Sequence, residues 1–467
     1  MSPSLFASLG IARDAMAAQQ LALDVAQNNI ANVNTPGYAR QRINLVPGDP
    51  VAQEMYQAGA GVKVDSIDSY RSRFLDHRVS EELQRQGEFS ASSSALQQVE
   101  SLFNDTADSG LQSVIAAFFH SFSSLANAPE DVTLRQQVLA CAENLGTQFR
   151  QKYEALQSVQ RLLDRDIADT VADINSIAAN IASLNVEIIT ANGSQANEGT
   201  LRDRRQVLID QLAELTDIAF YETESGGVTI MSRQGATLVV GNQTTPWQVS
   251  AATDDTAPRV MAGGIDITAK IQSGKLSGLL KVRDDQVTGY LNMLDDMAAA
   301  IIGRVNAQHV QGEDMNGAPG GDFFVPFAST VPGSNLGAAR AMRLAVTDPA
   351  LIAAAGVGAG VGSNANVRKL AGIQDEPILS GNRATIDQAY TNLIYNIGRD
   401  TKNAVDGLET QNLLMTQLQN QRDALIGVSL DEEAVNILRY QKAYQANARI
   451  ISVIDSLTEE MIQLVGG

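Results

Sequence analysis

Few residues in this 467-residue chain have the chemistry of a reaction centre: one cysteine, Cys141, and three dispersed histidines, His77, His120 and His309. One thiol closes no internal disulfide, and three scattered imidazoles point away from a structural zinc cage. The run GVGAGVG offers Gly356 and Gly358, but Val361 stands where a dinucleotide-binding GxGxxG needs its third glycine, and no clear strand precedes it. Gly274 and Lys275 have Ala269 where a phosphate-binding loop needs its first glycine, and Leu276 replaces the Ser or Thr. EDMNG puts Asp314 and Asn316 before Gly317, yet Gly312 takes the first ligand position of a calcium loop and Phe323 the last, so a tight turn is expected. Neither GxSxG nor HExxH occurs. Cys141 reads as a small hydrophobe within a helix and His309 as a structural histidine. The acid pairs Asp284–Asp285 and Glu432–Glu433 read as solvated helix positions, the second pair beside a helix N-terminus. No catalytic, cofactor-binding or metal-binding residue is assigned, and no enzymatic activity is expected.

Composition narrows the partners. Asp and Glu number 53 against 34 Lys and Arg, a formal net charge of -19, with 44% hydrophobic and 5% aromatic residues. A chain this acidic is repelled by phosphate backbones and anionic headgroups, so neither nucleic acid nor membrane is an expected partner. The length suits two to four domains. The start, MSPSLFASLGIARDAMAA, has no basic n-region and no unbroken apolar stretch, so Sec export is not indicated. The low-polarity stretch at 349–366 is half Gly, Ala and polar residues and reads as a flexible connection.

The elements that would position any function are mainly α-helical. Leu9, Met16, Leu23 and Ile30 fall seven apart, with Leu5, Ala12, Ala26 and Val33 on a second seam, which predicts one amphipathic helix of about 30 residues, about 45 Å long. At the other end Ile437, Tyr444, Ile451 and Val465 share one heptad position and Tyr440, Ile454 and Met461 another. Ser429 with Glu432 predicts a capping box at that helix's start. Leu163, Ile167, Ile174, Ile177, Ile181, Leu184 and Ile188 keep coiled-coil spacing, broken only by Thr170. Further helices are predicted at 68–103, 111–126, 198–216, 277–311 and 384–426. Short Val/Ile runs among Gly, Pro and Thr predict strands over 218–274 and 313–366, a β-rich outer domain inserted into a helical body of 66–217, 275–312 and 367–428. Neither half of that body closes a bundle alone, so the terminal regions, 1–65 and 429–467, are expected side by side as a coiled coil with a connector.

Charge separates these ends from the rest. Residues 1–42 carry Arg13, Arg40 and Arg42 against Asp14 and Asp24, and residues 429–467 carry three basic and six acidic groups, so nearly all of the negative charge lies between. No acidic residue occurs from Ala434 to Ile454. Helices with one water-facing side normally place Lys and Glu there; charge-poor helices fit contact on several sides, although a plain antiparallel hairpin explains the pattern equally well. Between the first helix and the body runs NNIANVNTPGYARQRINLVPG. Thr35 before Pro36 is steered out of the helical region, and Gly37 supplies the positive φ of a type II turn. Strand periodicity follows on both sides of a bend at Gly59 and Gly61.

NNIANVNTPGYARQ after an amphipathic first helix, together with GVSLDEEAVNILRYQKAYQANARIISVIDSL at 427–457, resembles the terminal signature of bacterial flagellar axial proteins. GVSLDEE, RYQKAYQANAR, LRDRRQVLIDQLAEL at 201–215 and NAQHVQGEDMNGAPGGDFF at 306–324 resemble its hook-associated members. That resemblance implies a secreted, extracellular, self-assembling structural protein at the junction of hook and filament. Its implied partners are further copies of itself in a ring, the hook protein, the next junction protein, and an export chaperone on the C-terminal helix. It also implies type III export without a cleaved signal, terminal segments that fold on joining a tube, and an outer domain that is reduced or absent. The assembly interface is expected at Leu9, Met16, Leu23, Ile30, Ile437, Tyr440, Tyr444, Ile451, Ile454 and Met461. The connector turn is expected at Asn29, Asn32, Thr35, Pro36, Gly37 and Tyr38. Within the same class the alternative is a hook or rod protein; from another class, a secreted adhesin or hydrolase using the β-rich middle.

Overall fold

The computed structural model describes residues 3–35, 37–48, 51–53, 56–58, 61–104, 110–191, 198–251, 257–329, 331 and 333–465. Its spine is α4 (Val132–Ala191), 60 residues long and so about 90 Å. The helix is this long because Val138, Leu145, Phe149, Leu156, Leu163, Ile167, Ile174, Ile181 and Ile188 bury one continuous face in steps of four and seven. Thr170, the break in the seam, is buried with its hydroxyl donating to Asp166 O at 2.6 Å, so the polar group costs the face little. Around this spine lie α2 (Arg73–Phe103), α3 (Leu111–Leu125), α5 (Glu198–Leu215), α6 (Gly274–Lys281), α7 (Thr288–His309) and α10 (Ile386–Ile426). A π-helical segment, Val282–Val287, joins α6 to α7.

The expected β-rich domain is corrected. Residues 218–272 do form strands: β5 (Ile218–Glu222), β6 (Val228–Ser232), β7 (Thr237–Val240) and β8 (Gln243–Thr244) make one antiparallel sheet. β9 (Trp247–Val249), β10 (Val260–Ala262) and β11 (Ile265–Asp266) make a second. Residues 313–366 do not join them. Apart from two-residue strands β12 (Gly312–Glu313) and β13 (Ala355–Gly356), two isolated bridges, the short helix α8 (Ala338–Ala341), a 3-10 turn at Pro349–Leu351 and the start of α9 (Ala365–Gly372), their described part is turns and irregular chain packed against the N-terminal part of α4. Phe323 and Phe324 pack with Phe118 and Phe122 at ring separations of 5.0–6.0 Å. The buried Arg135 of α4 donates to the carbonyls of Pro129, Pro349 and Ile352. The strand-forming segment instead docks on Asn175 and Asn185, forty or more residues further along α4, a separation of about 60 Å or more. Apolar spacing in 313–366 records burial by aromatic side chains, which period alone does not distinguish from strand.

One device recurs wherever an extended segment meets a helix. Asn175 donates from Nδ2 to Trp247 O and accepts Trp247 N–H at Oδ1, both at 2.8 Å. Asn185 does the same to Val228 at 2.9 and 3.0 Å, and Asn306 to Phe324 at 2.8 Å in both directions. A carboxamide presents one donor and one acceptor with the spacing of a peptide unit, so it satisfies both backbone groups of an extended residue on the side where no strand pairs with it. His309 has a related role: Nδ1 meets Gly321 O at 2.7 Å and Nε2 accepts Ala353 N–H at 2.9 Å, which fixes the neutral Nδ1–H tautomer. Asp314 accepts the N–H groups of Asn316 and Ala318, forming the expected tight turn.

The two crossings that join the strands to the body meet a pivot made tight by glycines. A Cβ on Gly274 would lie 2.4 Å from Thr216 Cα, and one on Gly87 of α2 2.0 Å from Glu214 O. Asp217 is fully buried at this pivot. Burial pushes its carboxyl up to about 7, partly offset by the Gln272 N–H and the Arg233 charge. The folded state therefore holds this proton more tightly than the unfolded state, whose value is 3.8. Its contribution to stability is fully present below 3.8 and is lost as pH rises through about 7. Asp217→Asn is expected to stabilise the chain at pH 8 by up to about 4 kcal/mol, converting the shift at 1.36 kcal/mol per unit. Denaturant melts at pH 4 and pH 8 check this: the gain should appear at pH 8 and vanish at pH 4.

Candidate assembly surface and its joint

α1 (Pro3–Ala31) and α11 (Leu430–Val465) pack along one another, the end of α1 beside the start of α11, so the pair is antiparallel. A hairpin of β1 (Gln41–Pro47) and β4 (Val62–Ser69), extended by the small β2 (Val51–Gln53) and β3 (Tyr56–Ala58), lies against α1. α1 is thus covered on two sides, and small residues make that possible: Ala12, Ala18, Ala22, Val25, Ala26 and Asn29 are its buried positions. Leu9, Met16, Leu23 and Ile30 sit about a third of a turn away and stay half-buried at the rim of the contact. On α11, Ile437, Tyr440, Tyr444, Ile451 and Met461 are half-buried and Ile454 is buried, all on the side that meets α1.

About a third of a turn from that side, α11 carries further apolar residues that no described part of the chain covers. Val435, Leu438, Ile450, Val453 and Leu457 are 63%, 59%, 48%, 58% and 47% exposed. Spacings of three and four join Val435 to Leu438 and Ile450 to Val453 and Leu457, and the two groups, twelve residues apart, share one arc of the helix with Arg439, Lys442 and Arg449 between them. Monomeric proteins scatter exposed apolar residues singly; a row along a 36-residue helix marks a surface to be covered.

The joint between this pair and the body is built from short-range bonds. Thr35 O accepts Tyr38 N–H at 3.2 Å and Gly37 has φ +77°, as the expected turn requires; Pro36 lies outside the described residues. Asn32 and Thr35 bond locally, Asn32 Nδ2 donating to Asn28 O and Thr35 Oγ1 to Asn32 Oδ1. Asn29 is the buried centre, with the carboxamide device again: Nδ2 donates to Gln41 O at 2.9 Å, while Oδ1 accepts Gln41 N–H at 2.9 Å and the Tyr38 hydroxyl at 2.8 Å. Burial first, then the charges of Asp203 and Glu433, push the Tyr38 hydroxyl up to about 12, so it stays a donor.

Two expectations change here. Ser429 Oγ accepts Glu432 N–H at 3.5 Å, but Glu432 does not close a capping box, and of the acid pair only Glu432 is the exposed helix position expected. Arg40 takes both, with Nη1 donating to Glu432 at 2.6 Å and Nε to Glu433 at 2.7 Å. Glu433 is buried. The partners stand nearly four hundred residues apart, so no local spacing reveals the clamp. Also missed were Val207, whose Cγ2 would be 2.3 Å from a Cβ on Gly37, and Asp203, which accepts Ala39 N–H at 3.3 Å. The uncovered stripe was legible as apolar residues at helical spacing in a charge-poor segment. A cleft of about 670 Å³ opens between α1, β1 and the start of α11, lined by Tyr70, Leu425 and Val435 among others. Among the described residues no group of three His, Cys, Asp or Glu is placed to hold a metal ion, and no helix is long and apolar enough to cross a membrane.

Family models match three stretches of the chain. Residues 96–324 match the flagellar hook-associated protein FlgK helical domain, 9–38 the flagella basal body rod protein, and 426–464 the flagellar basal body rod FlgEFG protein C-terminal region. The last two fall on the helices that pair. Flagellar hook-associated protein 1 of Bacillus subtilis (strain 168) is 31% identical over 506 aligned residues, covering 99% of this chain and 99% of its own. The protein of that name from Escherichia coli (strain K12) is 25% identical, covering 96% of this chain and 97% of its own. In fold, the chain is similar to the flagellar hook junction protein FlgK from Burkholderia pseudomallei, with a TM-score of 0.67 at 15% identity over 75% of this chain and 100% of that one.

Proposed function

The chain belongs to the flagellar hook-associated protein 1 family, and from that premise we propose that its paired terminal helices are the surface through which copies join. It is a structural, non-enzymatic component of the bacterial flagellum, exported to the outside of the cell and acting at the junction of hook and filament. It assembles with other flagellar axial proteins. In our reading the copies form a closed ring, with hook protein on one side and the next junction protein on the other. Residues 1–69 and 430–465 form the inner wall, the helical body stands outside it, and residues 218–272 lie on the body's flank. The rim residues Leu9, Met16, Leu23 and Ile30 and the inner seam of α11 hold the pair together within a copy. An export chaperone covers the α11 stripe before assembly, which keeps it from water. The secreted adhesin or hydrolase alternative finds no support in the comparisons.

The observation that carries this reading is the uncovered stripe on α11: the helix already satisfies α1 with one side and presents a second apolar side outward. Val453→Asp with Leu457→Asp tests it. Both positions are exposed in the single chain, so its stability is expected to change by less than about 1 kcal/mol. Buried between copies, the two unpaired carboxylates would each cost several kcal/mol, so incorporation should fall at least about a hundredfold. Immunogold counts at the filament base, beside the secreted amount and the melting curve, measure this. Wild-type incorporation by the double variant would refute the proposal.

A further inference from the structure

The charged helix LRDRRQVLIDQLAEL has no role in a helical body that apolar packing would not serve, and its contacts give it one. Three stretches of chain frame the joint: 37–40 leads from α1 into its hairpin, while 70–72 and 427–429 cross between the terminal unit and the body. α5 touches or braces all three. Asp203 is buried; its Oδ2 accepts Ala39 N–H at 3.3 Å, just before β1, and its Oδ1 accepts Arg71 Nε at 3.1 Å and Nη2 at 2.5 Å, just after β4. One carboxylate therefore holds the strand leading into the hairpin and the strand leading out of it. Tyr70 N–H donates to Arg40 O at 2.8 Å and ties the same two stretches to each other. One turn further along the helix, Val207 supports Gly37. Another turn on, Asp210 pairs with Arg422 at 3.7 Å, five residues before the crossing at 427–429. The opposite side of α5 is anchored, since the buried Arg205 donates to Asn185 Oδ1, Gly226 O and Glu222 Oε1.

We propose that α5 is a bracket that sets the angle between the terminal helix pair and the body, and that Asp203 is its positioning residue. The inference rests on the assembly reading above, because an angle matters only if neighbouring copies must match it. A buried carboxylate suits the role: it accepts from a backbone N–H and a guanidinium at once, and both bonds are directional. Loss of Asp203 leaves the α1–α11 contact and the body core untouched while freeing the connector at 37–40 and the crossing at 70–72.

The test uses the full chain with Cys141→Ser and spin labels on cysteines placed at the exposed Gln20 of α1 and Glu154 of α4. In wild type the label-to-label distance distribution should be narrow. Asp203→Ala should broaden it about twofold and lower incorporation at the filament base by about tenfold, an equilibrium change of one decade, with an unchanged secreted amount. Asp203→Asn keeps an acceptor for Ala39 but loses the charge facing Arg71, and should fall between the two. It also serves if Asp203→Ala does not fold. A distribution as narrow as wild type in a folded Asp203 variant, with normal incorporation, would overturn the bracket. The Val453→Asp, Leu457→Asp chain run alongside separates the two claims: its normal incorporation sinks the assembly reading, whereas an unbroadened Asp203 variant sinks the bracket alone.

Discussion

Gly37→Val is expected to stop incorporation into the flagellum while leaving the helical body folded. Gly37 sits at φ +77°, where a β-branched residue is strained by on the order of 1–3 kcal/mol. A Cβ there would also lie 2.3 Å from Val207 Cγ2, an overlap that forces α5 or the connector to move and adds about 1–3 kcal/mol. Together these reach several kcal/mol, concentrated on a turn that is held by single hydrogen bonds at Asn29, Ala39 and Tyr38. The connector yields first, because the body's core on α4 shares no residue with the turn. The two contributions separate experimentally. Gly37→Ala keeps the unfavourable φ and the same overlap, and adding Val207→Ala removes the overlap alone, so the double variant should recover part of the lost incorporation. Melting of the secreted chain and counts at the filament base measure both, and equal incorporation by Gly37→Val and wild type would contradict the account.

What was legible in the sequence follows from the range of each interaction. α1, α11 and the long seam of α4 were legible because helical periodicity is local and apolar. So was the turn at Thr35 to Tyr38, because Pro36 and Gly37 restrict their own backbones. The bonding of the asparagines was not, although the family resemblance put Asn29 in the connector turn. Asn29, Asn175, Asn185 and Asn306 each dock an extended segment, and nothing near them in sequence marks an interior helical asparagine as the partner of a backbone 12 to 72 residues away. The clamp of Arg40 on Glu432 and Glu433 stayed hidden for the same reason, and those acids looked like a helix-end charge pattern. The heptad in α1 misled in a different way. Leu9, Met16, Leu23 and Ile30 are its largest regular residues, but a helix pressed between α11 and a hairpin buries its alanines and leaves the larger side chains at the rim. The 313–366 strands failed because burial under phenylalanines and burial in a sheet select similar residues.

The second large effect concerns the terminal helices as a whole. Val435, Leu438, Ile450, Val453 and Leu457 are already about half covered, so burying the remainder is worth roughly 1 kcal/mol each and one stripe offers on the order of 5 kcal/mol per copy before the costs of association. The body offers no comparable uncovered row along a single helix among its described residues. Removing either member of the pair, residues 1–40 or residues 430–467, exposes the partner's inner face and deletes or disorders the stripe. The measurement that tests the central claim most directly is therefore made on cells carrying each deletion. Electron microscopy of the cell surface and assay of the medium should show hooks without filaments and filament protein secreted unpolymerised, while the purified helical body keeps a cooperative melt. Normal filaments in both deletions would contradict the claim that the terminal helices join the copies.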